Sequence, residues 1–287
     1  MRPKRHTIHK KRPARRVPKH DKSSAREKVY IYGKHALLEA LRHAPHVVRK
    51  AFLAPDMRDT ELRILLTKNK IPVNELAAGR GKNLVGKDAV HQGVIAVIDP
   101  SALLVPFDDF LATLPSYIHS SGSSTGSAKT AVAVLAEMQD PHNVGAVIRS
   151  AAAFGLAGVL IPEHNQAPIT GVVVKSSAGM AFRMPLISIG NVNHALQMLK
   201  EKGFWVYGLA TQGKTNLGAE TFDAPTVFVI GNEGAGIREK TLEACDVTLS
   251  IPMHARTESL NAAASAAIVF YEWSRKHPEA LENKTGV

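Results

Sequence analysis

Ile230-Gly-Asn-Glu-Gly-Ala-Gly-Ile237 follows the run Thr226-Val-Phe-Val-Ile230 and precedes a second apolar run, Val247-Thr-Leu-Ser-Ile251, which ends at Pro252. The first run has the β-branched, uninterrupted character of a strand buried on both faces of a parallel sheet. The glycines on either side of Glu233 let the backbone turn sharply and come close to a ligand, because no Cβ stands in the way. A helix of small residues is expected to open near Ser259 and run to Arg275. Two strand ends and one helix start, each with polar groups, are how a cofactor pocket is assembled at the carboxyl edge of an α/β sheet. The loop is not a G-x-G-x-x-G turn after a first strand, and the chain has no G-x-x-x-x-G-K-[ST] phosphate loop, so neither nucleotide fingerprint explains it.

Working outward, residues 131–276 alternate strands with helices, which implies a mostly parallel sheet. Strands are expected at Ala131–Leu135, Gly158–Ile161, Leu186–Ile189 and Phe204–Leu209. Helices are expected at Val144–Phe154, Gly171–Met180 and Asn193–Lys202. Upstream, residues 28–100 form a smaller α/β unit. Its helices are expected at Gly33–Arg42 and Thr60–Lys70, and its strands at Val47–Leu53, Pro72-Val73 and Gly93–Val97. No catalytic constellation stands out in that unit, and His91-Gln-Gly93 reads as a turn. Residues 101–130 read as a connector with a short helix at Pro106–Leu114, then the low-complexity His119-Ser-Ser-Gly-Ser-Ser-Thr-Gly-Ser127. Residues 277–287 read as a C-terminal tail.

Apolar content of 45% with 21% charge is ordinary for a folded globular chain. The charge is unevenly placed. Residues 1–27 hold eleven Lys and Arg against Asp21 and Glu27, so they carry most of the net charge of +11. Such a segment has little to bury and reads as a disordered polycation, either a solubilising tail or a binder of nucleic-acid phosphates. It is basic and nearly acid-free, as transit peptides are, but too poor in apolar residues for their amphipathic helix. It lacks a secretory apolar core, and no run in the chain reaches the ~18 apolar residues of a membrane span. One cysteine, Cys245, excludes an internal disulfide framework and fits a reducing, cytoplasmic setting. It reads as a small buried side chain, with no zinc-like spacing around it.

Asn143 and Arg149 lie six apart on one expected helix, about 600° of rotation. Taken alone they are a helix cap and a surface cation. Arg149 is nevertheless the only charge between Asn143 and Gly158, and a buried guanidinium needs a carboxylate or phosphate partner. Glu233 is either a solvated loop acid or a partner for an arginine or a ribose hydroxyl. Ser259 and Asn261 are natural helix caps.

Together, Asp140-Pro-His-Asn-Val-Gly-Ala-Val-Ile-Arg-Ser150, Ile230-Gly-Asn-Glu-Gly-Ala-Gly236 and Ile251-Pro-Met253 with Glu258-Ser-Leu-Asn261 resemble the three motifs of the SpoU (SPOUT-class) RNA 2′-O-ribose methyltransferases. Residues 32–41 and 91–96 are similar to the ribosomal-protein-like RNA-binding domain that precedes the catalytic domain in some members. That pairing resembles the subgroup acting on a guanosine in the peptidyl-transferase P loop of large-subunit rRNA. The resemblance implies a parallel sheet closed by a deep trefoil knot, a rare exception to unknotted folding. It implies S-adenosylmethionine held by Leu209, Ala210, Gly231, Ile251, Met253 and Leu260. It also implies catalysis through Asn143, Arg149, Glu233, Ser259 and Asn261, a homodimer whose subunits complete each other's sites, and no metal. In this outline Arg149 either activates the 2′-hydroxyl or clamps a phosphate and stabilises charge, Asn143 orients the ribose or Arg149, Glu233 holds Arg149 or the substrate, and Ser259 and Asn261 shape the pocket. Glu137 replaces an aspartate common in relatives, and Arg183 stands where an acid is common. The alternatives are a tRNA or another rRNA ribose as target, or a non-catalytic RNA-binding protein on the same fold.

Overall fold

Strands with apolar residues at every position need cover on both faces, and the large sheet of this protein supplies it. The computed structural model describes residues 28–86, 89–114 and 130–282. A first sheet contains Val29–Tyr32 (β1), Val48–Leu53 (β2), Val73–Glu75 (β3) and Val94–Ile98 (β4), in the order β1-β4-β2-β3. Helices Lys34–His43 (α1), Thr60–Lys68 (α2) and Arg80–Val85 (α3) accompany it. The second sheet adds Leu104–Pro106 (β5), Ala131–Leu135 (β6), Gly158–Pro162 (β7), Leu186–Ile189 (β8), Trp205–Leu209 (β9), Thr215–Asn216 (β10), Thr226–Ile230 (β11) and Val247–Ser250 (β12). Its order is β10-β12-β9-β11-β6-β7-β8-β5, and its pairings are parallel.

Alternation within the strands sorts the helices into two layers. Ala131, Ala133 and Leu135 of β6 face one cluster, which takes in Pro141–Ala153 (α5), Gly171–Ser176 (α6) and Ala262–Lys276 (α9). Val132 and Val134 face the other, with Phe107–Thr113 (α4) and Val192–Glu201 (α7). Glu239–Glu243 (α8) lies between β11 and β12. Because the strands run parallel, the carboxyl ends of β6, β9, β11 and β12 share one edge. The chain steps outward from β6 through β7 to β8 and then crosses to β9 on the far side of β11, so this edge holds the topological switch.

Three expected boundaries move. Residues 104–114 are not connector: β5 pairs with β8 in register Leu104↔Leu186, and Phe110, Leu111 and Leu114 are buried. Pro106 is tolerated because β5 is an edge strand. The low-complexity remainder, 115–129, falls outside the described residues, as do the polycation 1–27 and 283–287. Residues 277–282 pack on the body: His277 is buried, and a Cβ on Gly155 would sit 2.3 Å from the Ala280 carbonyl oxygen. The last helix begins at Ala262, not near Ser259, because Asn261 is its cap.

The two sheets share one buried cluster that includes Ile31, Leu37 and Leu41 with Val144, Val173 and Phe182. Gly171 comes so close to β1 that a Cβ would lie 2.2 Å from the Tyr30 carbonyl oxygen. Arg183 donates from Nε to Glu39 Oε2 of α1 at 2.8 Å, and Glu39 is 3% exposed. This cation therefore has a local partner across the seam between the sheets.

Candidate active site

A cavity of about 460 Å³ opens at the carboxyl ends of β9, β11 and β12. Leu209, Ala210, Gly231, Ile251, Met253 and Leu260 all line it, together with Glu233 and Ser259. The loop after β11 is folded tightly enough to form one wall. Asn232 and Gly236 exchange backbone hydrogen bonds at 2.9 and 3.0 Å, and Gly236 adopts φ 69°. Asn232 Oδ1 accepts from the amides of Gly234 and Ala235 at 2.9 and 3.0 Å. A Cβ on Gly231 would stand 2.4 Å from the backbone carbon of Gly236, so the motif's first glycine is required by packing. The neighbouring wall is tied by Ala210, whose amide donates to the Leu249 carbonyl at 3.0 Å. Thr211, Leu242, Leu249 and Ser265 also line the cavity and were not expected. Leu249 was legible only as strand interior, and the others only once strand order is known.

Beside the cavity the three motifs are joined by hydrogen bonds. Glu233 Oε1 accepts from Asn143 Nδ2 and from the Asp140 amide, both at 3.0 Å. Its Oε2 accepts from the Gln139 amide at 3.1 Å. Asn143 Oδ1 accepts from Asn261 Nδ2 at 3.0 Å. Asn261 Oδ1 in turn caps α9, accepting from Ala263 and Ala264 at 2.9 and 3.1 Å. Partial burial works to raise the Glu233 pKa, but the Asn143 side chain and the backbone amides outweigh it and hold the carboxyl below its ordinary value. Glu233 is therefore a carboxylate near neutral pH, with three donors from the start of α5 and the turn before it already on its two oxygens.

Three expected roles change. Asn143 is not the cap of α5; Asp140 is, accepting from the His142 amide at 2.8 Å with Pro141 in the first turn. Asn143, 8% exposed, is instead the bridge between Glu233 and Asn261. Arg149 is exposed, with no hydrogen bond or ion pair to a described residue, so Glu233 does not hold it. Six residues of helix carry it about 9 Å along the axis and about 240° around from Asn143, away from the network. An exposed guanidinium carries no burial cost, so Arg149 needs no carboxylate partner within the chain. Ser259 is exposed, lines the cavity and caps no helix.

Glu137 has φ 65°. Its carbonyl accepts from Asn232 Nδ2 at 2.8 Å, while its carboxylate pairs with Arg238 at 2.7 Å. Burial pushes the Cys245 thiol up to about 12, consistent with a packing role against Gly208, where a Cβ would lie 2.9 Å from the sulfur. Among the described residues, no group of His, Cys, Asp or Glu is placed to hold a metal ion, and no helix is long and apolar enough to cross a membrane.

This geometry coincides with what the chain is similar to. The SpoU rRNA Methylase family matches residues 130–271, and the RNA 2′-O ribose methyltransferase substrate-binding family matches residues 30–104. A 23S rRNA (guanosine-2′-O-)-methyltransferase RlmB of Neisseria meningitidis is 33% identical over 86% of this chain and 94% of its own length. An uncharacterised tRNA/rRNA methyltransferase of Mycobacterium sp. (strain KMS) is 33% identical over 93% of this chain and 80% of its own. In fold, the chain is similar to the SpoU methyltransferase AviRb of Streptomyces viridochromogenes, crystallised with AdoMet: TM-score 0.71, 23% identity, 91% of this chain and 94% of that one. An α/β protein with a glycine-walled pocket at the switch point of a parallel sheet is thereby placed among RNA methyltransferases. The chain belongs to the SpoU family, whose members take the methyl group from S-adenosylmethionine.

Proposed function

We propose that this protein transfers a methyl group from S-adenosylmethionine to a ribose 2′-hydroxyl of large-subunit rRNA, specifically a guanosine of the peptidyl-transferase P loop. One observation carries the reading: the six residues expected to hold the cofactor line a single cavity, and the network of Glu233, Asn143 and Asn261 stands at its side. The cavity fits the cofactor chemically. Leu209, Ile251, Met253 and Leu260 give apolar walls for an adenine, and the tight loop at Gly231 brings backbone groups within reach of its polar edge. Bound there, S-adenosylmethionine supplies an already activated methyl group, so positioning is the main task left to the protein.

The network performs that task by fixing the three motifs relative to each other. Glu233, committed to three donors, anchors the start of α5 and is not free to act as a base. Arg149 clamps an RNA phosphate and stabilises charge developing on the attacking oxygen; a guanidinium is too weak an acid to serve as a base near neutral pH. Ser259, on the cavity wall, shapes the pocket.

The reading extends to assembly. The small sheet with residues 28–100 is the RNA-binding unit, and the catalytic unit closes as a trefoil knot. The protein works as a homodimer: Ile268 and Tyr271 of α9 and Val172 of α6 are exposed apolar residues in the layer of α5. A partner subunit there brings Arg149 to the other site. The tail 1–27 adds phosphate contacts, so its deletion should weaken RNA binding and flatten its salt dependence without stopping chemistry. An unchanged salt slope would refute that role.

Methyl transfer to P-loop rRNA fragments and to tRNA transcripts tests the target. The Mycobacterium relative's name keeps tRNA as the second reading, and methylation of tRNA alone would replace the first with it. Absence of S-adenosylmethionine binding by calorimetry would leave only a non-catalytic RNA-binding role.

A further inference from the structure

The cavity at the carboxyl ends of β9, β11 and β12 is lined by two ionisable residues, Glu233 and Glu258, and both are acids. No lysine, arginine or histidine is among the described residues that line it. The two carboxylates differ in how far the protein has already used them. Glu233 holds three donors, the Asn143 side chain and the amides of Gln139 and Asp140. Glu258 is exposed and has no hydrogen bond or ion pair to a described residue. His254 and Arg256 lie on the same loop, yet neither lines the cavity. Residues 258–260 all line it, and the next residue, Asn261, is bonded to Asn143 in the network that joins the three motifs. This segment therefore borders the side of the cavity where, in the proposed reaction, ribose and cofactor meet.

An anionic lining suits one feature of the methyl donor. S-adenosylmethionine carries an ammonium and a carboxylate close together at its methionyl end, where they offset each other. Its sulfonium is the charge left over. Transfer breaks the sulfur–methyl bond with the electron pair left on sulfur, while the 2′-oxygen gains the methyl and gives its proton to water. The product, S-adenosylhomocysteine, is a neutral zwitterion of almost the same shape. Contacts to adenine, ribose and the methionyl end cannot tell the two apart, but a negative charge in the lining can. A carboxylate with no other partner contributes that charge without giving up a bond.

We propose that Glu258 is a specificity-determining residue that favours the sulfonium of the methyl donor over the uncharged thioether of the product, and so promotes exchange of one for the other after transfer. The inference rests on the proposed use of this cavity, and its test separates the two. Calorimetry on the full-length protein would measure S-adenosylmethionine, S-adenosylhomocysteine and sinefungin, in which a protonated amine on carbon replaces the methylsulfonium. Glu258→Gln should weaken the two ligands with the extra positive charge about two- to fivefold, the scale of an exposed ion pair. Its affinity for S-adenosylhomocysteine should be that of the wild type. Glu258→Asp keeps the charge and should keep most of the discrimination. Added salt should narrow the difference between wild type and Glu258→Gln, because it screens an exposed charge. Equal weakening of all three ligands by Glu258→Gln overturns the proposal, since it would place the carboxylate on the shared methionyl ammonium or in the scaffold. So does unchanged binding of all three. Absence of S-adenosylmethionine binding by the wild type would sink the methyl-transfer reading and take the proposal with it. Discrimination by charge without methylation of any RNA would sink the reaction and keep the role of Glu258.

Discussion

Asn143 and Arg149 belong to one helix and one sequence motif, yet the fold treats them in opposite ways. Asn143 is buried and uses both ends of its amide, donating to Glu233 and accepting from Asn261. Arg149, less than two turns on, faces solvent with no partner among the described residues. A side chain whose hydrogen bonds are already made within the protein shapes a site. One left without partners on a helix that approaches the site is available to something outside the chain. The difference divides the expected catalytic set into a scaffold of Asn143, Glu233 and Asn261 and a working group of Arg149, with Ser259 on the cavity wall.

The sharpest way to break this division is Arg149→Ala. Removing one preorganised electrostatic group typically lowers turnover by about 10²–10³-fold. We expect that loss in kcat, with S-adenosylmethionine affinity and melting temperature unchanged. Arg149→Lys keeps the charge but not the two-pronged geometry and should recover little. A drop in thermal stability, or an equal loss of cofactor affinity, would place Arg149 in the scaffold after all.

Gly145, between the two residues, tests whether α5 must stay where it is. A Cβ there would lie 1.9 Å from Ser176 Oγ and 2.7 Å from the Val173 carbonyl oxygen. The serine can rotate away; the backbone carbonyl of α6 cannot. Gly145→Ala should therefore destabilise by about 1–3 kcal/mol, the usual cost of overpacking. Denaturant unfolding that shows no loss would mean the two helices separate easily.

Much of the framework was legible because its strands are short, apolar and buried on both faces. Ala131–Leu135, Leu186–Ile189 and Thr226–Ile230 appear with the limits read from composition alone. Elements without that signature escaped: β5 is three residues ending in proline and gains its identity from pairing with β8, some eighty residues on. The site divides in the same manner. Lining residues could be carried over from motif resemblance, because they sit at strand ends. The partners of Asn143 could not be, since Glu233 and Asn261 lie 90 and 118 residues away and their contact depends on strand order. Arg149's exposure was equally hidden, because the Ala-rich sequence around it resembles a buried helix on all sides.

Glu233→Gln is the gentlest probe, since it keeps size and removes only charge. An amide cannot accept from three donors with both of its ends, so its NH2 must face Asn143 or a backbone amide. The expected cost at neutral pH is about 1 kcal/mol, on the order of 2–4 °C in melting temperature. Its pH dependence is more diagnostic than its size. Because the folded protein holds the Glu233 carboxyl below its ordinary value, its contribution is fully present above the unfolded pKa of about 4.3. The contribution is lost as pH falls through the lower folded value, where a proton on Glu233 meets the same donors that the glutamine amide does. The stability gap between wild type and Glu233→Gln should thus be constant from about pH 7 to 5 and close below about pH 4. A gap that persists unchanged to acid pH would show that shape alone, and not the carboxylate, ties the three motifs together.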